Sequence, residues 1–154
     1  MLPFAPFRPG RPTVSRRQQR SVGRSPCAAT TPAYRSKVTV TKVTQRATPS
    51  NQFLKPKTGN RYVAVELRLA NKGRAVYDDA PSNGAKLIDS EGQQYNTTFG
   101  EISEGVVLSA VTVSPGDSRK GVLLFEIPAS VKPAKFQFGL NSGFADQKGE
   151  WILS

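Results

Sequence analysis

The stretch Tyr62-Val63-Ala64-Val65-Glu66-Leu67-Arg68-Leu69 decides the fold. Val63, Val65, Leu67 and Leu69 alternate with Ala64, Glu66 and Arg68, a period of two that belongs to a β-strand with one buried and one wet face. Asn60 before it and Asn71-Lys72-Gly73 after it supply turn chemistry, so the strand has defined ends.

Upstream, Lys37-Val38-Thr39-Val40-Thr41-Lys42-Val43-Thr44 is rich in β-branched residues and reads as a first strand. The apolar phase slips between Val40 and Val43, which predicts a bulge near Lys42. Residues 48–59 carry Pro49, Pro56 and Gly59 and read as a linker, with Phe53 and Leu54 expected to tuck over a sheet edge. Downstream, Arg74 to Ala80 fits no single pattern, and Pro81-Ser82-Asn83-Gly84 is a turn. Asp89-Ser90-Glu91-Gly92 joins two short β segments as a hairpin, with Gly92 where a positive φ is cheap. Val106 to Val113 reads as a short strand. Ser114-Pro115-Gly116-Asp117 then launches Ser118 to Ile127, with Leu123, Phe125 and Ile127 on one face and Pro128 as the stop. Phe136, Phe138 and Leu140 repeat the pattern, and Trp151-Ile152-Leu153 closes the chain as a strand or a plug.

Seven or eight short strands between Pro and Gly turns, with no window of clean helical spacing, place the chain in the all-β class. The expected architecture is an immunoglobulin-like two-sheet antiparallel β-sandwich over residues 37–154. Residues 1–36 are expected to be a disordered basic segment rich in Arg, Pro and Ser.

The net charge of +11 is concentrated in that segment. Eight of the 22 Lys and Arg lie within residues 1–37, where there is no acidic residue, leaving 14 against 11 acidic residues from Val38 onward. Arg8, Arg11, Arg16, Arg17, Arg20 and Arg24 are therefore the candidate polyanion or nucleic-acid contacts. With Cys27 as its single cysteine, the chain can form no internal disulfide; Cys27 is a candidate for lipidation, for an intermolecular bridge, or an inert thiol. There is no histidine, which removes the usual general base and the commonest transition-metal ligand and argues against an enzyme. No cofactor and no metal set is indicated. Prolines at 3, 6, 9 and 12 interrupt every apolar run that could serve as a signal peptide, and no segment is long and apolar enough for a membrane-spanning helix.

Several further side chains are candidates for sites. Asp78-Asp79 would point opposite ways in a strand and reads better as a solvated loop than as a cation or acid–base pair. Asp89 and Glu91 lack the spaced ligands of a calcium loop and read as turn residues. Asn96-Thr97-Thr98 matches the N-glycosylation acceptor pattern. Tyr62, Tyr95, Phe99 and Trp151 are candidates for an aromatic platform, against the plainer role of capping the core.

The order of the short motifs adds a resemblance. Asn51-x-Phe53-x-x-Pro56-x-x-Gly59-x-x-Tyr62-Val63-x-Val65 is followed by Leu69-x-Asn71-x-Gly73 and Leu87-x-Asp89-x-x-Gly92-x-x-Tyr95. Leu108 to Val113, Pro115-Gly116-Asp117 and Gly121-x-Leu123-x-Phe125-x-Ile127-Pro128 complete the series. This resembles the bacterial family of secreted immunoglobulin-like domains of unknown function related to the mycobacterial immunoprotective extracellular antigen. The resemblance implies an exported or lipid-anchored, non-enzymatic domain that binds a protein or a cell-surface polymer, with no catalytic residues to carry over. Members usually begin with an export leader, often ending in a lipobox; Arg24-Ser25-Pro26-Cys27-Ala28 lacks the Leu and small residues and the preceding apolar run of a lipobox. The expected location is therefore extracellular or envelope with a misassigned start, and the alternative is cytoplasmic.

Overall fold

A computed structural model describes residues 34–153 of the chain. Nine strands appear in them: β1 Ser36–Ala47, β2 Asn60–Asn71, β3 Tyr77–Asp79, β4 Ala85–Asp89, β5 Gln94–Asn96, β6 Val111–Val113, β7 Ser118–Pro128, β8 Pro133–Gly139 and β9 Lys148–Ile152. They form a three-stranded sheet in the order β1-β2-β7 and a four-stranded sheet in the order β5-β4-β8-β9, with β3 and β6 as a separate pair. Every strand pairing is antiparallel. The all-β sandwich follows as the sequence predicts, with the β3–β6 pair as an addition.

The opening stretch is the centre of the three-stranded sheet. β2 pairs β1 along one edge and β7 along the other, with Val65 opposite Val43 on one side and Leu123 on the other. The bulge falls where the phase slips, between Val40 and Lys42. Val63, Val65, Leu67, Leu123, Phe125 and Ile127 are 0–1% exposed and meet Leu87, Phe136 and Phe138 of the second sheet in the main core. Phe136 is its hinge of aromatic contact. Phe125 meets it edge-on at 6.2 Å and Trp151 lies tilted at 5.5 Å, so Trp151 packs on the core as the last strand's anchor.

The structure departs from simple alternation on the opposite face of β2 and β7. Tyr62, Ala64, Val122 and Leu124 point away from the main core, yet they too are buried, and with Ala47 and Ile102 they form a second cluster. The wet face predicted for β2 is wet only in its later half, at the exposed Arg68 and the half-buried Glu66. What covers the earlier half is chain without regular structure. Residues after β5 and before β6 lie along the outer edge of β7. The Thr98 amide donates to the Leu124 carbonyl at 2.8 Å, the Leu108 amide to the Val122 carbonyl at 2.9 Å, and the Val122 amide to the Val106 carbonyl at 2.8 Å.

Two local expectations are corrected by this cover. The strand expected over Val106 to Val113 is regular only over β6, because Val107 makes an isolated parallel bridge to Val122 before the chain turns away. Phe53 does not tuck over an edge. It is 83% exposed, and it is the Leu54 carbonyl, accepting the buried Tyr62 hydroxyl at 2.7 Å, that ties the linker down.

Candidate binding site

The cover over the second cluster is held from both ends. Ser50 and Ser103 donate backbone amides to Glu101 and Thr48 carbonyls at 3.0 and 2.9 Å, and the Glu104 carboxylate accepts the Thr48 amide at 2.8 Å. That amide, the largest influence, holds the Glu104 carboxyl below its usual range. Gly100 sits so close to the sheet that a Cβ there would lie 2.8 Å from Leu124 Cδ2 and 3.1 Å from the Tyr62 hydroxyl. A residue with a side chain would push the segment outward, so glycine sets the depth of the cover.

The same segment opens a cleft of about 580 Å³. Phe99 and Val106 stand on it 83% and 78% exposed, Ile102 and Leu108 form its apolar floor, and Ser82 and Thr98 add polar atoms. An exposed aromatic and an exposed valine on a pinned segment can insert into, or receive, an apolar group of a partner with little ordering cost.

The other candidate side chains have structural roles. Asp78 and Asp79 lie in strand β3, not in a loop, because the strand pairs with β6; as expected for a strand they diverge. Asp78 accepts the Thr112 hydroxyl at 2.5 Å. Asp79 accepts the Tyr77 hydroxyl, the Ala80 and Ser142 amides at 2.8 Å each, and the Ser142 hydroxyl at 3.0 Å. The Tyr77 hydroxyl in turn accepts the Asn141 amide at 3.2 Å. Burial first, and then the bond to Asp79, push the Tyr77 phenol well above its ordinary value, so it stays a donor. This cluster pins Asn141 and Ser142 in the left-handed region, at φ 52° and 54°, where side chains other than glycine need support.

Asp89 ends β4 and its side chain closes the turn that follows, the structural role expected of it. Its carboxylate accepts the Gln93 and Glu91 amides at 2.9 and 2.8 Å and the Tyr95 hydroxyl at 3.1 Å, and the Gln93 amide leads in holding its carboxyl below the usual range. Asn96 lies exposed in β5 and accepts the Lys86 ammonium at 2.6 Å. The aromatic platform does not form: Trp151 packs on the main core, Tyr62 belongs to the second cluster on the other face of the sheet, Tyr95 is tied to Asp89, and only Phe99 projects. Arg8, Arg11, Arg16, Arg17, Arg20, Arg24 and Cys27 lie outside the described residues. Among the described residues no group of three or more acidic or cysteine side chains could hold a metal ion, and no helix is long and apolar enough to cross a membrane.

The cover was not read from the sequence, although a signal was present. Val122-Leu123-Leu124-Phe125 is a run of four apolar residues, which a strand with one wet face does not need.

A family model described as a domain of unknown function, DUF4352, matches residues 30–149. The chain belongs to that family. Two solved structures share the fold of this DUF4352 domain. The yjhA protein from Bacillus subtilis is 18% identical, with a TM-score of 0.58 over 79% of this chain and 93% of that one. A candidate lipoprotein, ycdA, from Bacillus subtilis is 14% identical, with a TM-score of 0.59 over 80% of this chain but only 37% of its own length. No curated protein matches the sequence of the DUF4352 domain described here.

Proposed function

We propose that this DUF4352 domain is a non-enzymatic binding module of the bacterial envelope or extracellular space, and that it holds a protein partner at the cleft beside Phe99 and Val106. The observation that carries the reading is the pairing of high exposure with firm anchorage. Phe99 and Val106 are among the most exposed apolar residues, yet the segment bearing them is hydrogen-bonded to β7 and to residues 48–50 and rests on a buried cluster. A large apolar side chain kept in water on a fixed support fits a contact surface better than a folding role.

The envelope part of the reading takes its support from the resemblance to the antigen-related secreted domains and from the description of ycdA as a candidate lipoprotein. The non-enzymatic part rests on the absence of histidine from the sequence and on the use of Asp79 and Asp89 as structural acceptors. The test has two arms. The native protein is located by intact mass in separated cytosol, envelope and culture medium, and the purified chain is offered to an unbiased panel of hydrolase and transferase substrates. Recovery from the envelope or medium without turnover is expected. A full-length product confined to the cytosol, or efficient turnover of any substrate, would overturn the proposal.

A further inference from the structure

The later half of the outer face of β1-β2-β7, beyond the cover, carries an organised set of cations. Register places Thr39, Arg68 and Lys120 side by side across the three strands, and one step along the face Lys42 lies beside Glu66. Lys37 is the next outward residue of β1, beside Ala70. Neighbouring strands are about 4.8 Å apart and successive outward residues about 6.7 Å, so Lys37, Lys42, Arg68 and Lys120 root within a patch of about 10 by 13 Å. All four are exposed.

Among the described residues two carboxylates bear on this patch: Glu66 within it, acting on Lys42 and Lys120, and Glu104 of the cover, acting on Lys42, against four cations. Glu66 already accepts the Thr41 hydroxyl at 2.6 Å and lies 3.6 Å from the Lys120 ammonium. Arg68 and Lys120 stand directly opposite each other on adjacent strands and on the same face. Like charges so placed oppose folding. The Lys120–Glu66 contact offsets part of this repulsion, and an anion spanning Arg68 and Lys120 would relieve the rest. A guanidinium fork beside ammonium groups and the Thr39 hydroxyl is the donor set that suits phosphate oxygens.

We infer that this face binds a linear phosphate-bearing polymer. The polymer is favoured over single-stranded nucleic acid because the uncovered half carries no aromatic side chain on which a base could stack. It is favoured over a bilayer because that half offers no large apolar side chain to insert. The inference goes beyond the cleft and stands or falls separately from it, since the two surfaces share no residue.

The test uses the full chain and long-chain inorganic polyphosphate as the probe, titrated at about 50 and 200 mM NaCl with chain-melting temperature read in parallel. Arg68→Gln with Lys120→Gln is expected to weaken binding at least tenfold at the lower salt and to flatten the salt dependence, because two phosphate contacts fewer are made. The same variant is expected to melt close to the parent, since relief of the like-charge pair offsets the lost Lys120–Glu66 ion pair, and a parent-like melting temperature excludes misfolding as the cause of weak binding. Arg16→Gln with Arg17→Gln and Lys86→Gln with Lys135→Gln, which remove equal charge at other positions of the sequence, are expected to lose less than threefold. Thr39→Asp, which adds a carboxylate to the row, is expected to weaken binding as much as the double variant. Equal losses in all the double variants would show that only net charge matters and would overturn the inference. So would tighter binding of duplex DNA or of vesicles containing an anionic phospholipid than of polyphosphate.

Discussion

Replacing Leu124 by alanine probes the second cluster most sharply, because simple alternation puts that side chain in water and the structure puts it at 0% exposure. The substitution removes three carbons, worth about 2.4 kcal/mol at roughly 0.8 kcal/mol each. If the cover does not relax, a residual void of about 40 Å³ adds about 1 kcal/mol. Gly100 lies against Leu124 Cδ2, so the segment can sink partway, and the expected cost is about 2–3.5 kcal/mol. Urea unfolding followed by tryptophan fluorescence measures it, with Arg68→Ala on the uncovered half of the same face expected within about 0.5 kcal/mol of the parent. A double-mutant cycle sharpens the assay. Gly100→Ala alone crowds Leu124 and is expected to cost about 1 kcal/mol, whereas in the Leu124→Ala background the new methyl fills the void. The pair should therefore be less destabilised than the sum of its parts by about 1 kcal/mol. A cost below about 1 kcal/mol for Leu124→Ala, or strict additivity, would refute the packed cover.

Three further outcomes follow from single sites. Asn71 is 1% exposed, and its amide donates at 2.8 Å to both the Ala75 and Val113 carbonyls while its oxygen accepts the Gly73 amide at 2.9 Å; Asn71→Ala should cost about 3 kcal/mol in urea unfolding, at about 1 kcal/mol per bond. Gly84→Ala would place a methyl 2.0 Å from the Gly139 carbonyl oxygen, a backbone atom that no rotamer change can move, and should lower stability by about 3 kcal/mol in the same assay. The Asp89 carboxyl is held low in the folded state, so it contributes stability above the ordinary aspartate range, near pH 3.9, that is lost as pH falls through its lowered native value. Asp89→Asn should flatten the acid limb of a stability-versus-pH series; an unchanged limb would remove Asp89 from the account.

What was legible in the sequence was whatever repeats with period two. The main core, the Val40–Lys42 bulge, the 89–92 hairpin and the β7 and β8 strands all stand where alternation and turn residues put them, because a register slip would turn a whole apolar set into water. The second cluster was not legible, since its cover is irregular and its residues are recruited singly: Ile102, Ala47, and a glycine chosen for thinness. Asp78 and Asp79 were misplaced in a loop because three-residue strands carry too short a pattern to outweigh two adjacent charges. The basic row on the sheet was hidden for a different reason. Lys37, Arg68 and Lys120 are scattered along a chain whose charges look interleaved, and only strand register brings them onto one face.

The claim that the cleft is where this domain meets a partner is tested most directly by site-specific photo-crosslinking in the native cells. A photoreactive residue is placed at Phe99, and a matching one at the exposed Lys148 of β9, the edge strand of the four-stranded sheet. A discrete protein adduct from position 99 and none from position 148 is the predicted result. The same adducts from both positions, or none from position 99 while the protein remains folded, would contradict the account.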